Sequence, residues 1–476
     1  MRSFLVAAAV MAAVSASPMP QDIDFDMVIA APNPVITGAP IGVTEQSVTY
    51  DAASASAVVV AAVSAAATNT DAAVTDAARM VKRTACAPQP TGATGAPAVS
   101  TDTPSAFLAN PAFASLASAA PVPSGYALSF TNLQASNNAY GYMGFTTLSN
   151  YNTTLCAAKC SKVNGCMSFN LYFERDPSVD PGTGCEDPAS YTMIKCVFWG
   201  GPVTTANALN KGQYRSKFQV VIAGSNGYTN TSIATIPGYT DAQYLGNAAI
   251  NAPYDNQGCD TYMRSTIFTS GPFDTTLCSK FCDAQTAYNL AHPPSNGSPP
   301  KTCQFFNTYL MYVNTTANMQ GQYCALYTEA WPTSYATNVG QYRGDDHYLI
   351  QSSYTYTNKT NAGAPDKKCA VAQASVQISY STLQSFCTAY LGYVVPSATA
   401  TTTVVATVTS TEIDTATVQA IPKRAVAVPN VLSMYPSSVL SSACSLQATS
   451  PSTVTATTTF SSTTTVVTTT STTTSI

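Results

Sequence analysis

Histidine and charged residues are scarce in this chain of 476 residues. Only two histidines occur, His292 and His347, and 9% of the residues are charged, with a net charge of −4. Because so few histidines are present, a metal or acid–base site built on histidine is nearly excluded. Proteins that read nucleic acids need clustered lysine and arginine to contact phosphates. We predict no metal, no cofactor and no nucleic-acid partner.

Long apolar runs are also missing. The apolar stretch from Phe4 to Val14 is shorter than the roughly 20 residues that cross a bilayer. It follows Arg2 and precedes small residues, so residues 1–16 are predicted to be a signal peptide cleaved after Ala16. The polar end STTTSI lacks the hydrophobic tail of a lipid-anchor signal. We expect an extracellular chain without a membrane span.

The 14 cysteines all follow the dibasic pair Lys82-Arg83. Residues 17–83 contain none of them and are rich in alanine and valine. We interpret residues 17–83 as a disordered pro-segment that is removed by cleavage after Arg83. The alternative is an ordinary dibasic pair on the surface. In a secreted chain the cysteines are expected to form disulfides.

Composition divides the rest of the chain. Residues 84–122 are rich in proline, alanine and serine and are predicted to be a loosely docked linker. Residues 363–395 form a small cysteine-containing module. Residues 396–476 are dominated by threonine and serine, which is typical of an extended, O-glycosylated stalk.

Residues 123–235 and 236–362 are two copies of one unit. NTTLCAAKC at 152–160 matches DTTLCSKFC at 274–282, CMSFN matches CQFFN, and GQYR occurs at 212–215 and at 340–343. Cys196 precedes the first GQYR by 16 residues, and Cys324 precedes the second by 16. Each copy ends in YTN. Five landmarks in the same order indicate a tandem domain repeat.

The repeated nonamer predicts a short helix with two cysteines on one face, because residues i and i+4 lie together. Asn152 and Asp274 are suitable N-caps. The later segments predict antiparallel strands, with Phe169 and Phe305 facing inward. Zinc or redox chemistry would use CxxC or histidine, which these motifs lack. Spacing alone does not fix the connectivity. The pairs that we expect are Cys156–Cys196, Cys160–Cys166, Cys278–Cys324 and Cys282–Cys303.

The set C-x3-C-x5-CxxFN, followed by a later cysteine before an aromatic strand, resembles a PAN/Apple domain. The resemblance covers roughly residues 126–358, and an insertion before Cys303 departs from it in the second copy. It implies an α+β fold, in which a short helix lies on a curved antiparallel sheet and two disulfides join them. The wider chain, including CAPQPTG, NNAYGYMGF and FCTAYLGYVVP, is similar to secreted fungal proteins of the carbohydrate-binding-like or fruit-body-specific type.

The other cysteines and the sequons complete the expected covalent chemistry. Cys185 and Cys259, each present in one copy, are candidates to pair with each other. Cys369–Cys387 is the expected local bridge, while Cys86 and Cys444 stay unassigned. N-glycosylation sequons, which must lie at the surface to be used, begin at Asn152, Asn230, Asn296, Asn314 and Asn358.

A hydrolase would need two carboxylates that face a cleft. Glu174, Asp176 and Asp180 in FERDPSVD are candidates, as are Asp345 and Asp346 beside His347. The two prolines of FERDPSVDPG favour a turn-rich loop with solvated acids. No P-loop, GxSxG or HExxH motif occurs. We therefore predict that the chain is not an enzyme.

Abundant aromatic residues favour carbohydrate recognition, because sugars stack on exposed aromatic faces while polar neighbours fix their orientation. The alternative is that GQYR forms a structural turn with its tyrosine in the core. The candidate ligand-binding residues are Tyr172, Trp199, Gln213, Tyr214, Arg215, Trp331, Gln341, Tyr342 and Arg343. We predict a non-catalytic recognition protein whose partner is a polysaccharide or glycoprotein. The alternatives are a structural or adhesive cell-wall glycoprotein and a protein-binding PAN module.

Overall fold

The computed structural model describes residues 23–65, 84–255, 259–295, 300–360, 369–392, 400–405, 426–433, 435–448, 455–458 and 465–470. The predicted signal peptide with Ala16, the Lys82-Arg83 pair and Asn296 lie outside these residues. Within them, no helix is both long and apolar enough to cross a membrane.

The N-terminal segment, residues 23–65, is structured. It contains α1 (Phe25–Ala30), β1 (Ile36–Thr37), β2 (Glu45–Ser47) and α2 (Ala52–Ser64). Asp24 and Asp51 cap the two helices by accepting backbone N–H groups of the first turn. The prediction of a disordered segment is wrong for these residues. The reason is tertiary: apolar side chains of both helices are buried against the repeats.

Residues 84–122 are packed as well, contrary to the expected loose linker. Their helices are α3 (Pro104–Leu108) and α4 (Pro111–Ala119), each with a proline in its first turn. Phe107 and Phe113 are buried in the core of the first repeat, and Phe113 stacks on Phe173 with ring centroids 4.4 Å apart. These aromatic residues outweigh the surrounding proline and serine.

The first repeat is a helix against an antiparallel sheet. Its elements are β3 (Tyr126–Leu133), β4 (Ala139–Tyr140), β5 (Tyr142–Thr147), α5 (Thr153–Cys160), β6 (Ser168–Pro177), β7 (Ser190–Trp199), β8 (Tyr214–Arg215), β9 (Phe218–Gln219) and β10 (Ile222–Asn230). The sheet order is β2-β5-β7-β6-β10-β3. Strand β2 of the N-terminal segment therefore forms one edge of this sheet.

The second repeat has the same strand order without the added edge. Its elements are β11 (Gln243–Gly246), β12 (Tyr262–Phe268), α6 (Thr275–Ala291), β13 (Phe305–Val313), β14 (Met319–Tyr327), β15 (Gly340–Arg343) and β16 (Asp346–Thr357). The order β12-β14-β13-β16-β11 matches β5-β7-β6-β10-β3, and β15 pairs with β16. Helix α6 continues through Ala291, so the insertion that precedes Cys303 begins as a helix.

The shared motifs have the same structural roles in both repeats. Asn152 accepts the backbone N–H of Leu155, and Asp274 accepts that of Thr276, so both nonamers begin capped helices. The asparagine that ends CMSFN or CQFFN is buried, and its amide donates to a serine on the neighbouring strand. Asn170 donates to Ser225 Oγ at 2.9 Å, and Asn307 donates to Ser353 Oγ at 3.0 Å.

The register corrects one detail of the strand prediction. Phe306, and not Phe305, is the equivalent of Phe169, and both lie on the face that packs against the helix. Phe305 lies on the opposite face, beside Phe25 of α1. Both faces of this sheet are therefore buried, which explains why CQFFN carries two consecutive phenylalanines.

The four disulfides expected within the repeats are present: Cys156–Cys196, Cys160–Cys166, Cys278–Cys324 and Cys282–Cys303. The two other pairings are wrong. Cys185 bonds to Cys86, and Cys387 bonds to Cys444. Cys259 is also disulfide-bonded. Both errors share one cause. Residues 84–122 were interpreted as a loosely docked linker and residues 396–476 as an extended stalk, so neither was expected to supply a disulfide partner.

The C-terminal elements include helices α7 (Cys369–Tyr380), α8 (Gln384–Tyr390) and α9 (Ser437–Gln447). Helix α9 lies within the predicted stalk, yet Leu440 and Cys444 are buried against α7 and α8. The small module therefore extends beyond residue 395. Strands β17 (Ala400–Val405), β18 (Thr455–Thr458) and β19 (Thr465–Thr470) form a separate sheet.

Apolar residues join the repeats directly. Tyr140 of the first repeat packs with Phe273 and Tyr312 of the second, and its hydroxyl donates to Ser270 O at 3.3 Å. The N–H of Phe273 donates to Gly200 O at 2.7 Å. The relative placement of the repeats thus depends on buried side chains as well as on chain connection.

Candidate functional site

Both GQYR motifs form solvent-facing β-hairpins. The first belongs to the β8–β9 hairpin and the second to the β15–β16 hairpin. The glycines have φ of +93° and +116°, and a Cβ at either position would collide with a carbonyl oxygen, of Val220 or of Tyr348. Their N–H groups donate to Asn210 and Asn338, at 3.1 Å in each case. The motif's glycine is therefore structural.

The tyrosine of each motif is exposed. Tyr214 is 69% and Tyr342 is 71% exposed. The Tyr214 hydroxyl donates to Gln219 Oε1 at 3.2 Å, which fixes the phenol across the hairpin. The Tyr342 ring lies parallel to the His347 ring, with centroids 4.1 Å apart. Each hairpin thus presents a positioned aromatic ring, and the alternative of a core tyrosine does not hold.

The polar residues beside these tyrosines differ between the copies. Gln213 is exposed, and Gln341 is partly buried. Arg215 forms a largely buried ion pair with Asp180, so its charge is engaged within the protein. Arg343 is exposed and its guanidinium lies over the Phe25 ring, 5.3 Å from the centroid. The second hairpin therefore has the more accessible cation.

Three other candidate residues lie elsewhere. Tyr172 and Trp199 are buried in the first repeat, Trp199 completely, so neither offers a ring face to a sugar. That part of the prediction is wrong, because both side chains alternate onto a covered face of the sheet. Trp331 is partly buried, donates its indole N–H to Thr261 Oγ1 at 2.9 Å and meets Tyr335 edge-on.

The sequons also differ in access. Asn152 and Asn314 are exposed and Asn230 is partly exposed. Asn358 is buried, and its amide donates to the Tyr239 hydroxyl. The expectation of a surface position is wrong at Asn358, because residues near YTN pack against the helix side of the sheet.

Glu174 and Asp176, two of the acids considered for catalysis, are in a strand and not in a turn. FERDP continues β6, and Glu174 and Asp176 point to one buried face beside Lys195. Lys195 Nζ contacts Glu174, lies 3.5 Å from Asp176 Oδ2 and donates to Pro40 O at 3.1 Å. Asp345 and Asp346 lie exposed in the β15–β16 hairpin. Among the described residues, no cluster of three or more His, Cys, Asp or Glu suits a metal ion.

Burial and the neighbouring Asp176 raise the pKa of Glu174 well above its usual value, although Lys195 opposes this shift. For Lys195, burial acts to lower the pKa, but Asp176 and Glu174 outweigh it and raise the value. The buried ammonium therefore remains charged, and the two carboxyl groups share its compensation.

The raised pKa of Glu174 predicts that stability falls as pH rises. The folded state binds a proton that the unfolded state releases above about pH 4.5, so the free energy of unfolding decreases through the folded pKa, by at most about 1.4 kcal/mol per pH unit. We expect Glu174→Gln to remove this contribution and to stabilise the protein at high pH. Urea unfolding of both proteins across pH 4–9 measures it; parallel curves would contradict the prediction.

A cleft that the sequence did not indicate lies between residues 91–107 and strands β6 and β7. Its volume is about 440 Å³, and its lining includes Asp102, Arg175, Ser190 and Tyr191. Asp102 accepts from Arg175 Nη2 at 2.7 Å and from Ser190 Oγ at 2.5 Å. Partial burial acts to raise the pKa of Asp102, but Ser190 and Arg175 together lower it.

The signal for this cleft is the alternation in β6. Phe173 and Arg175 point to one face, whereas Glu174 and Asp176 point to the other. Arg175 therefore needs an anion on the side opposite Lys195. Asp102 supplies it, but the sequence separation of 73 residues made the partner unpredictable.

Comparison with known proteins gives no assignment. No family model matches the chain, and no curated protein or solved structure matches it. The shared strand order, the disulfides and the paired hairpins are therefore the basis for a functional proposal.

Proposed function

We propose that the chain is a secreted, non-catalytic recognition protein, built on two PAN/Apple-like domains, that binds a carbohydrate. The density of disulfides is consistent with an oxidising, extracellular location. In each repeat one disulfide joins the helix to a strand of the antiparallel sheet and a second joins it to the loop just before another strand, which supports the PAN/Apple-like assignment. The ligand is a polysaccharide or the glycan of a glycoprotein, and a cell-wall surface would present either.

The observation that carries the proposal is the repeated exposure of one tyrosine. Tyr214 and Tyr342 occupy the same position of the same hairpin, and each is about two-thirds exposed or more. A single exposed aromatic ring is ordinary on a protein surface, but the hairpin's own contacts do not require a tyrosine at this position in both copies. Its presence in both copies therefore favours a surface that is used for contact.

The hairpins have the chemistry that sugar binding needs. The apolar face of a pyranose ring packs on an aromatic face, and neighbouring polar groups orient the hydroxyls. At the second hairpin Tyr342 already has His347 against one face, so its other face is available. Gln213 and Arg343 are exposed hydrogen-bond donors on the two hairpins.

Alanine substitution of the hairpin tyrosines tests the proposal. We expect the intact protein to be depleted from solution by one of chitin, β-glucan, cellulose or mannan. Tyr214→Ala and Tyr342→Ala are each expected to weaken this binding roughly 10-fold, because each removes one stacking surface. The double variant is expected to lose binding in the assay range.

Tyr380→Ala is the matched control, since Tyr380 is 86% exposed on α7 and lies outside both hairpins. It is expected to bind normally. Loss of binding in Tyr191→Ala alone would place the site in the cleft beside Asp102 and contradict the hairpin site. If none of the four polysaccharides binds, recognition of a polysaccharide fails, and a glycoprotein glycan, a protein partner or a structural role in the wall becomes the better explanation.

A further inference from the structure

The N-terminal segment (residues 23–65) has no cysteine, so within the described chain it is held by non-covalent contacts alone. These contacts nevertheless reach both repeats. They fall into three groups, formed by α1, by the stretch from β1 to β2, and by Tyr50 with α2. Their distribution determines what happens when the chain is cut between residues 65 and 84.

Helix α1 packs on the face of the second sheet that is opposite α6. Phe25 and Val28 are buried there, and the Phe25 ring meets the Tyr348 ring edge-on, with centroids 4.8 Å apart. The backbone N–H of Asp24 donates to the Tyr323 hydroxyl at 3.0 Å. Without α1, the part of this apolar face that residues 249–252 do not cover would be open to water.

The middle of the segment pairs with strands of the first repeat. Strand β1 pairs with β4, and β2 pairs with β5 as the outermost strand. Pro40 O accepts the buried ammonium of Lys195, and Gln46 Oε1 accepts the Tyr142 hydroxyl at 2.7 Å. Lys195 and Tyr323 are equivalent positions of the two repeats, each directly before the cysteine that bonds to the helix. Both contact the backbone of the segment.

Helix α2 packs against α6 of the second repeat. Val59 and Val63 are buried among the residues around Cys278. Just before α2, the Tyr50 hydroxyl donates to Asp274 Oδ2 at 2.7 Å, and Asn164 donates to Tyr50 O at 3.2 Å. Tyr50 therefore joins the N-cap of α6 to a loop of the first repeat.

We propose that the N-terminal segment is a retained subunit and not a released pro-peptide. An endoprotease that recognises dibasic pairs would hydrolyse the bond after Arg83, consuming one water and leaving a carboxylate and an amine. The segment stays seated on both repeats, because the cut breaks none of the contacts above. The mature protein is then a non-covalent complex of two chains, in which the N-terminal segment holds the two repeats together.

A defined cut tests retention independently of the natural protease. The recognition sequence of a site-specific protease is inserted between residues 66 and 83 of the full chain, and the purified protein is cut to completion. We expect the segment to co-elute with the rest of the chain in native size-exclusion chromatography and to separate only in denaturant. Separate elution under native conditions, with the remainder either folded or aggregated, would overturn the proposal.

Competition with synthetic peptides tests the contacts without requiring variant proteins to fold. A labelled peptide of residues 23–65 is displaced from the cut protein by unlabelled peptides. We expect Phe25→Ala to weaken competition about 100-fold or more, because it empties a buried position. Ile29→Ala, on the exposed side of the same helix, is expected to remain within about threefold of the original. Equal behaviour of the two would show that α1 does not hold the segment.

Discussion

Lys195→Met is expected to lower the free energy of unfolding by about 3–5 kcal/mol at neutral pH. The substitution keeps most of the side-chain length but removes the ammonium that faces Glu174, Asp176 and Pro40 O. Two buried carboxyl groups then lose their counter-ion, and a buried backbone carbonyl loses its donor. An unpaired buried charge costs more than the intact pair contributes, which is why the loss is large.

The second repeat provides the matched control. Its residues at the positions of Glu174, Asp176 and Lys195 are Met311, Val313 and Tyr323, all buried. The triple substitution Glu174→Met, Asp176→Val and Lys195→Tyr is therefore expected to recover most of the loss, because well-packed apolar groups replace a buried ion cluster at little cost.

Tryptophan fluorescence during urea unfolding measures these changes. In a Trp331→Phe background, Trp199 reports on the core of the first repeat alone. A loss below about 1 kcal/mol for Lys195→Met would mean that the cluster is hydrated and does not behave as a buried ion pair. A triple variant as unstable as the single one would show that volume, and not charge, controls this site.

Local sequence patterns were sufficient to predict the features that depend on interactions between residues close in sequence. The nonamers predict capped helices because Asn152, Asp274 and the cysteine spacing act within two helical turns. The exposed hairpin tyrosines are consistent with the GQYR prediction for the same reason. Internal duplication then transferred each local prediction to the second copy, so the four repeat disulfides followed from two.

Contacts between residues distant in sequence could not be predicted from local patterns. The N-terminal segment has no strong periodicity, yet α1 and β2 are stabilised by sheets more than 90 residues away in sequence. Trp199 was predicted to bind a ligand at the surface, because the local sequence does not show that Val203 and Ala208 pack against its side chain. Cys86 and Cys444 were left without partners because the segments around them were judged by composition.

Removal of the Cys156–Cys196 bridge is expected to cost about 4 kcal/mol, against about 2 kcal/mol for Cys160–Cys166. Both bridges begin on α5. One reaches Cys196 in β7 and the other reaches Cys166 in the loop before β6, and they close loops of 40 and 6 residues. The longer loop loses more conformational freedom in the unfolded state when it is closed. Double alanine variants of each pair isolate the cross-link without leaving a free thiol.

The second repeat sharpens this prediction, because its two bridges close loops of 46 and 21 residues. The same relation gives about 4 and about 3 kcal/mol, so the two bridges should differ less there than in the first repeat. Urea unfolding of the four double variants measures the ranking. If Cys160–Cys166 cost as much as Cys156–Cys196, native-state packing around the buried sulfurs would dominate over chain entropy. In that case the repeats would depend on their disulfides as core atoms, and the loop lengths that vary between the copies would be free to change without loss of stability.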